Sequence, residues 1–398
     1  MNIRHTDKLY LDDPYETNFR ATVISASPRG IVLDRSCFYP ESGGQMCDRG
    51  KLGDFDVVDV QEGDGESIVH IVRGDATAQG ELDGHVDWER RFDHMQQHTG
   101  QHVLSRAFID TAGLATVSFH MGEDTCTIDL NGQGLDPDRS ARAEELANRI
   151  IAENRPLTTR VVPIAELDQS ELRRKVPDGV ENVRLVDIAD FDVIPCCGTH
   201  VAATGELRLI KVLKHEKVKG NDRVYFKVGA RAIVDYSEKH DILHALSSRL
   251  STSGADIAAR VNKLLEENRA GRKANRRLAR KLAVVEKDLL LAAADSVGST
   301  RLVVCLIPDA DADYLRTLSN EIRSEADVIA LLAAGDGSVV CVASSGVSVD
   351  LAGPAVDLAK AMGGSGGGKG AFARLTLPRG VDLSKFLDEM EEDVRRRM

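Results

Sequence analysis

The sequence predicts a multidomain α+β protein in four parts: a small β-barrel at 1–90, an α+β block at 91–236, a helical or coiled-coil arm at 237–297, and an α/β unit at 298–398. Three observations carry this division. The chain has 398 residues, more than one ordinary core accommodates, so two to four domains are expected. Short alternating segments separated by Gly and Asp turns dominate the first part. The apolar spacing then changes to threes and fours, and later to continuous apolar runs.

Composition sets the broad class. Hydrophobic residues are 42% and charged residues 29% of the chain, enough for real cores in a soluble protein. The opening MNIRHTDKLYLDDPYE has no apolar segment of the signal-peptide kind. No run of about 18 apolar residues occurs, so no membrane span is expected. Seven cysteines, at 37, 47, 126, 196, 197, 305 and 341, are odd in number and scattered. That favours a reducing cytoplasm over a disulfide framework. The net charge of −12 argues against a surface that coats nucleic acid throughout, and leaves room for local basic patches.

The elements follow in order. RATVISASPRGIVLDRSCFYP and FDVVDVQEGDGESIVHIVRGD alternate apolar and polar residues, as barrel strands do. FYPESGGQ, residues 38–45, places Gly43 and Gly44 at a tight bend or close backbone approach. DHMQQHTGQHVLSRAFIDTAG has helical character, with Asp93 as the expected N-cap and Gln96 three residues on. Phe92, Met95, Val103, Leu104 and Phe108 supply its apolar face, and Gly113 is the expected stop. TCTIDL reads as a strand, 138–154 as a helix, and RLVDIADF and GELRLIKVLKHEKVKGNDRVYFKVG as further strands. In the arm, Leu243, Leu246 and Leu250 form one run, broken near STSG. Ile257, Val261 and Leu264, then Leu278, Leu282, Val285 and Leu289, continue the spacing of a coiled coil or helical hairpin. RLVVCLIP, ADVIALLAA and SVVCVASS are apolar enough for buried strands.

Two short patterns carry chemistry. His98 and His102 are four apart on the expected helix and so share one face. Cys196 and His200 have the same separation inside CCGTH. Three imidazoles and a thiolate suit tetrahedral zinc, one ion per chain, although spacing does not separate a closed structural site from an open catalytic one. Cys197, next to a ligand, is expected to point the other way and pack against a core. A disulfide between adjacent cysteines is strained, and a nucleophilic cysteine is the minor reading.

Other patches are less specific. The run GGSGGGKG, 363–370, departs from the phosphate-loop pattern after Lys369 and reads as an ordered loop facing nucleic acid. Basic residues gather at 208–231 and again at 269–281, where seven occur without an acidic one. Either group is a solvated face or a phosphate-contacting one.

In this order, these motifs resemble alanyl-tRNA synthetase downstream of its aminoacylation domain, and more closely the long form of the free-standing AlaX-type alanyl-tRNA editing proteins. FYPESGGQ resembles the family's glycine motif, QQHTGQHVLS its H-x3-H helix, CCGTHVAATGEL its Cys-Gly-Gly-Thr-His segment, and GGSGGGKG the glycine loop of the C-terminal DHH-associated domain. The departure is Cys197, where the family has glycine. The resemblance covers essentially the whole chain. It implies a zinc-containing editing (deacylase) domain at 91–236 and a DHH-associated-type, tRNA-binding or dimerising domain at 298–398. It carries the zinc ligands over to His98, His102, Cys196 and His200. It implies a trans-editing aminoacyl-tRNA hydrolase that frees tRNA(Ala) of serine and, in some members, glycine. The synthetase's catalytic domain would precede residue 1, so no ATP-dependent charging is expected.

For the substrate, the family's layout points to Thr116, then Ser118, as the contact for the serine hydroxyl, with Gly43, Gly44 and Gln45 nearby. For tRNA, the basic stretch of the arm and the glycine run offer Arg272, Arg276, Arg280, Gly366, Gly367, Gly368 and Lys369 as contacts. A homodimer through the arm or the last domain is also expected. The need for editing stands on its own: one small group yields only about 1–3 kcal/mol of discrimination, and an added hydroxyl is poorly rejected. The expected reaction is ester hydrolysis by water, with zinc lowering the pKa of bound water to about 7 if a coordination place is open, or else holding the substrate. No general base is evident. Two rivals remain: a zinc-stabilised RNA-binding module without catalysis, and a metallohydrolase of another small ester or amide.

Overall fold

The computed structural model describes residues 5–132, 134–167 and 181–398. Six strands close the N-terminal barrel: β1 (Asn18–Ser27), β2 (Gly30–Leu33), β3 (Gly50–Leu52), β4 (Phe55–Glu62), β5 (Ile68–Val72) and β6 (Glu81–Val86), in the closed order β1-β2-β5-β4-β3-β6. Alternation makes this possible. Ile68, His70 and Val72 of β5 point inward and the residues between them do not. Ile31, Leu33, Phe38, Leu52 and Val60 fill the interior. Closure leaves no free sheet edge.

β6 leads directly into α1 (Trp88–Ala112). The helix begins earlier than the sequence suggested. Asp87, not Asp93, is the N-cap, accepting from the Arg90 backbone N–H at 3.2 Å. Asp93 instead pairs with Arg231 at 2.6 Å. A capping side chain works only where the backbone is still non-helical, and WERRF already continues the helix through Asp93. Gly113 ends α1 at φ +67°, as expected.

Around α1 are packed β7 (Thr116–Met121), β8 (Cys126–Leu130), α2 (Pro137–Ala152), β9 (Leu157–Pro163), β10 (Asn182–Ile188), β11 (Asp192–Pro195), β12 (Ile210–Val218) and β13 (Asn221–Val228). They form an antiparallel sheet in the order β12-β13-β8-β7 and a small sheet β9-β10-β11. Met95, Leu104, Phe108, Ile128 and Phe226 are the centre of their core.

α3 (Ala230–Leu250) starts before residue 237, because Gly229 at φ +61° turns the chain straight out of β13. The described chain divides into two compact units, with the boundary between Ala245 and Leu246. The second unit holds α4 (Ile257–Ala292), β14 (Asp295–Val297), β15 (Thr300–Ile307), α5 (Ala312–Arg323), β16 (Val328–Ala334), β17 (Ser338–Ala343), α6 (Ala352–Ala361), β18 (Ser365–Lys369), β19 (Phe372–Thr376) and α7 (Leu383–Arg397). Its sheet order is β14-β15-β16-β17-β19-β18. The apolar runs are indeed buried strands: every residue of β16 and β17 is buried. One side of α4 packs into this unit through Ala283, against Leu315 and Leu318, and through Lys287 to Glu325.

The glycine run is not a loop. Residues 365–369 form an exposed edge strand paired with β19. A Cβ at Gly368 would meet the Phe372 carbonyl at 2.1 Å, so the strand approaches its neighbour as only glycine can. Among the described residues, no helix is long and apolar enough to cross a membrane.

His70 ties the barrel to pH. It is fully buried between the Ile31 carbonyl at 3.0 Å and the Ser36 hydroxyl at 2.7 Å, and burial lowers its pKa to about 4. An unfolded chain takes up this proton near pH 6.5, while the folded barrel resists it down to about pH 4. The contribution is therefore full above pH 6.5 and shrinks as the pH falls toward 4. We expect the urea midpoint to drop between about pH 7 and pH 5, and to drop less in His70→Gln, measured by equilibrium denaturation.

Candidate metal centre

α1 delivers His98 and His102 from consecutive turns, their rings 5.0 Å apart. The turn after β11 delivers Cys196 and His200. The His200 ring lies 4.7 Å from His98 and 5.1 Å from His102. Cys196 Sγ stands 3.4 Å from His98 Nε2 and 3.3 Å from His200 Nε2. One donor atom from each of the four residues lies within 4.8 Å of the other three. The two sequence pairs, about a hundred residues apart, thus meet at one point.

The surrounding groups set the protonation of these donors. His98 Nδ1 donates to Gln45 Oε1 at 2.7 Å, which leaves its Nε2 lone pair toward the cluster. Gln45 is held in turn by the Thr199 hydroxyl at 2.8 Å and backbone N–H at 3.2 Å. Thr99 Oγ1 lies 3.1 Å from His200 Nδ1 and does the same for that ring. Burial, with the Arg184 charge added, pushes His98 down to about 3. Burial, then His98 and Arg184, push His200 well below its usual value. Neutral imidazoles are the form that binds a metal. Arg184 is itself buried and donates to the carbonyls of Cys196 at 2.9 Å and Gly198 at 3.1 Å, fixing the CCGTH turn beside a cation. Three nitrogen donors and one sulfur, buried and close, fit a zinc ion.

His98, His102 and Cys196 form part of the wall of a cleft of about 630 Å³, also lined by Tyr39, Gly43, Gln101, Thr116, Ser118 and Phe119. Thr116 and Ser118 line the same cleft as His98, His102 and Cys196. Gly43 lines the cleft, whereas Gly44, at φ +86°, lets the backbone pass the Phe119 carbonyl, which a Cβ would meet at 2.7 Å. Gln45 lies behind His98 and does not line the cleft. Cys197 is the correction: it is exposed and lines the cleft instead of packing in a core. The alternation rule holds for extended strand, and β11 has ended at Pro195.

The basic residues are mostly spoken for. Lys211 pairs with Glu144, Lys214 with Glu216, Arg223 with Asp129, Lys227 with Asp235 and Arg231 with Asp93. That weakens the phosphate-surface reading of 208–231. On α4, Arg272 and Arg276 are exposed, and Arg280 pairs with Glu321 at 2.9 Å. Gly366, Gly367, Gly368 and Lys369 lie exposed on the edge strand β18.

Sequence reasoning missed Thr99, Thr199, Arg184 and Gly198. The threonines beside the histidines were the available signal. A Cβ at Gly198 would stand 2.2 Å from the His98 ring, so this glycine is what lets the turn reach the helix.

The four residues form a buried His/Cys donor set that could hold a metal ion, beside an open cleft. Residues 183–225 match the threonyl and alanyl tRNA synthetase second additional domain, 7–90 match tRNA synthetases class II (A), and 299–396 match the DHHA1 domain. The chain is 33% identical to the alanyl-tRNA editing protein AlaX-L of Pyrococcus horikoshii, over 92% of this chain and 94% of that one. It is 30% identical to the alanyl-tRNA editing protein Aarsd1 of Rattus norvegicus, over 90% of each. It is 33% identical to the alanine–tRNA ligase of Archaeoglobus fulgidus, over 96% of this chain but only 43% of the ligase. The chain belongs to the alanyl-tRNA editing protein family.

The groups behind the ligands are open to test. Gln45→Leu is expected to weaken zinc affinity about 10–100-fold, with Gly198→Ala at least as damaging, measured by chelator competition on the purified protein. Unchanged affinity in both variants would mean that neither group positions His98.

Proposed function

We propose that the chain is a metal-dependent aminoacyl-tRNA hydrolase that removes serine or glycine from mischarged tRNA(Ala), acting as a separate protein in trans. The observation that carries this reading is that His98, His102 and Cys196 of the four-residue donor set line a cleft that Thr116 and Ser118 also line. A cleft of this volume suits a small ligand, here the aminoacylated adenosine end of a tRNA. The names of the long relatives, both alanyl-tRNA editing proteins, support the choice of tRNA(Ala).

The four ligands would hold zinc through the imidazole Nε2 atoms and the Cys196 sulfur. When bound, the ion supplies Lewis acidity at the ester, if it expands beyond its four protein donors. Gln45 and Thr99 keep the imidazoles in the ligand-forming tautomer, and Arg184 holds the turn. Thr116 offers the serine hydroxyl a partner that alanine cannot use. No carboxylate lines the cleft among the described residues, and we assign the water proton to the substrate's neighbouring ribose hydroxyl. Arg272, Arg276 and Lys369 are the exposed cations we assign to tRNA phosphates.

Closure of the donor set at four favours one rival, a zinc-stabilised RNA-binding module without catalysis. Deacylation of Ser-, Gly- and Ala-tRNA(Ala) by the wild type and Cys196→Ala separates the two. The hydrolase reading expects release of serine or glycine well ahead of alanine, lost in the variant. Slow, equal release of all three by both proteins is the outcome that defeats it.

We also propose a homodimer through α4. Ile257, Leu264, Gly271, Leu278 and Val285 alternate with Val261, Asn268, Asn275, Leu282 and Leu289 at the two core positions of a heptad. Leu278, Leu282, Val285 and Leu289 are 57–67% exposed, a seam with no cover in the single chain. Asparagines at two successive first core positions favour an in-register pair over slipped ones. Sedimentation equilibrium should find a dimer that Leu282→Glu with Leu289→Glu converts to monomer; a monomeric wild type removes the proposal.

A further inference from the structure

A second cleft, of about 680 Å³, lies where β3, β4 and β6 of the barrel meet the first turn of α1. Its lining includes Arg49, Lys51, Asp56, Arg73, Trp88 and Glu89. The hydrolase reading uses none of them. The indole of Trp88 packs against Tyr15 and Phe92, with ring centroids 5.5 Å and 5.2 Å away, and is still 38% exposed. Its aromatic neighbours fix this large flat ring at the cleft without covering it.

The cations around the indole are weakly engaged. Arg49 meets Glu123 at 4.0 Å and Lys51 meets Asp56 at 3.9 Å, and all four side chains are exposed. Surface pairs of that kind contribute little, so a phosphate can replace the partner. Arg73 is exposed as well. Asp56 and Glu89 keep the cleft from being purely cationic. A long run of phosphates is therefore a poor occupant, and one base flanked by its own phosphates is a good one.

The two clefts are near each other. Gly43 lines the metal cleft, and Arg49 and Gly50 line the second. Arg49 is six residues on from Gly43, which puts them at most about 21 Å apart. Trp88 and His98 are ten residues apart on one helix, about 15 Å along its axis. A few unstacked nucleotides span that gap.

We propose that the second cleft is a base-stacking site for an unpaired nucleotide upstream of the terminal adenosine of the tRNA, with Trp88 as the platform and Arg49, Lys51 and Arg73 meeting the flanking phosphates. This rests on the hydrolase reading above, which puts the aminoacylated adenosine in the metal cleft. The chain then reads the single-stranded end of its substrate as well as the attached amino acid.

Trp88 is the only tryptophan in the chain, so its fluorescence reports the site without any catalysis. The uncharged trinucleotide CCA should quench it saturably in the full-length protein, and bind at least about fivefold tighter than free adenosine. Arg49→Ala combined with Arg73→Ala should weaken that binding and flatten its salt dependence. In kinetics, the comparison is kcat/KM on Ser-tRNA(Ala) against kcat/KM on seryl-adenosine, which is too short to reach Trp88. That ratio should fall about tenfold in Trp88→Leu and recover in Trp88→Phe. Equal losses on both substrates would show a folding effect and overturn the assignment. So would an absence of quenching, or quenching by adenosine as strong as by CCA. If the wild type releases no amino acid while CCA still quenches, the hydrolase reading fails and the stacking site stands.

Discussion

The ion pair between Arg91 and Asp48 is the constraint on which the site depends. Both side chains are fully buried. Arg91 also donates to the backbone carbonyls of Cys37 and of Pro14, while Asp48 accepts from the Tyr39 N–H at 2.7 Å. Together they clamp the segment 37–48 of the barrel onto the first turn of α1. Gln45 lies within that segment, and His98 lies seven residues along the same helix, so the 2.7 Å contact between them follows from the clamp. A buried pair of this kind adds little net stability, but removing one partner costs about 3–5 kcal/mol. Its use here is registry: it sets which residue of the glycine motif faces which histidine.

From that registry the chemistry follows. Burial makes the imidazoles neutral, and the hydrogen bonds on their Nδ1 atoms choose which nitrogen remains free. Arg184 brings a cation to the same turn and spends its donors on the carbonyls that shape it. The pairing of β10 with β11, Leu185 opposite Pro195, puts Arg184 next to Cys196. Three elements distant in sequence, the barrel segment, α1 and β10, are each needed to hold four donors together.

The candidate donor set was legible because a metal site would need particular residue types at spacings that local backbone geometry can satisfy. His98 and His102 needed only helix periodicity, and Cys196 and His200 only a short turn. The buried strands at 300–307, 328–334 and 338–343 were legible for a similar reason, since continuous apolar runs must be covered. Asp93 misled because a helix start depends on where the preceding strand ends, and β6 runs into Asp87. Cys197 misled because alternation was applied past the end of a strand. The glycine run misled because it was read as an ordered loop, whereas residues 365–369 form an edge strand whose close approach to its neighbour requires glycine at 366 and 368.

By itself, then, the sequence determined the donor set, the succession of barrel, mixed domain, helices and α/β unit, and the family resemblance. These depend on local periodicity and residue chemistry, which a linear string preserves. Only the tertiary structure decided that Gln45 supports a ligand instead of lining the cleft, and that most cations at 208–231 are paired to carboxylates. Those facts depend on which distant side chains are brought within hydrogen-bond reach, about 3 Å, and no spacing rule along the chain encodes that.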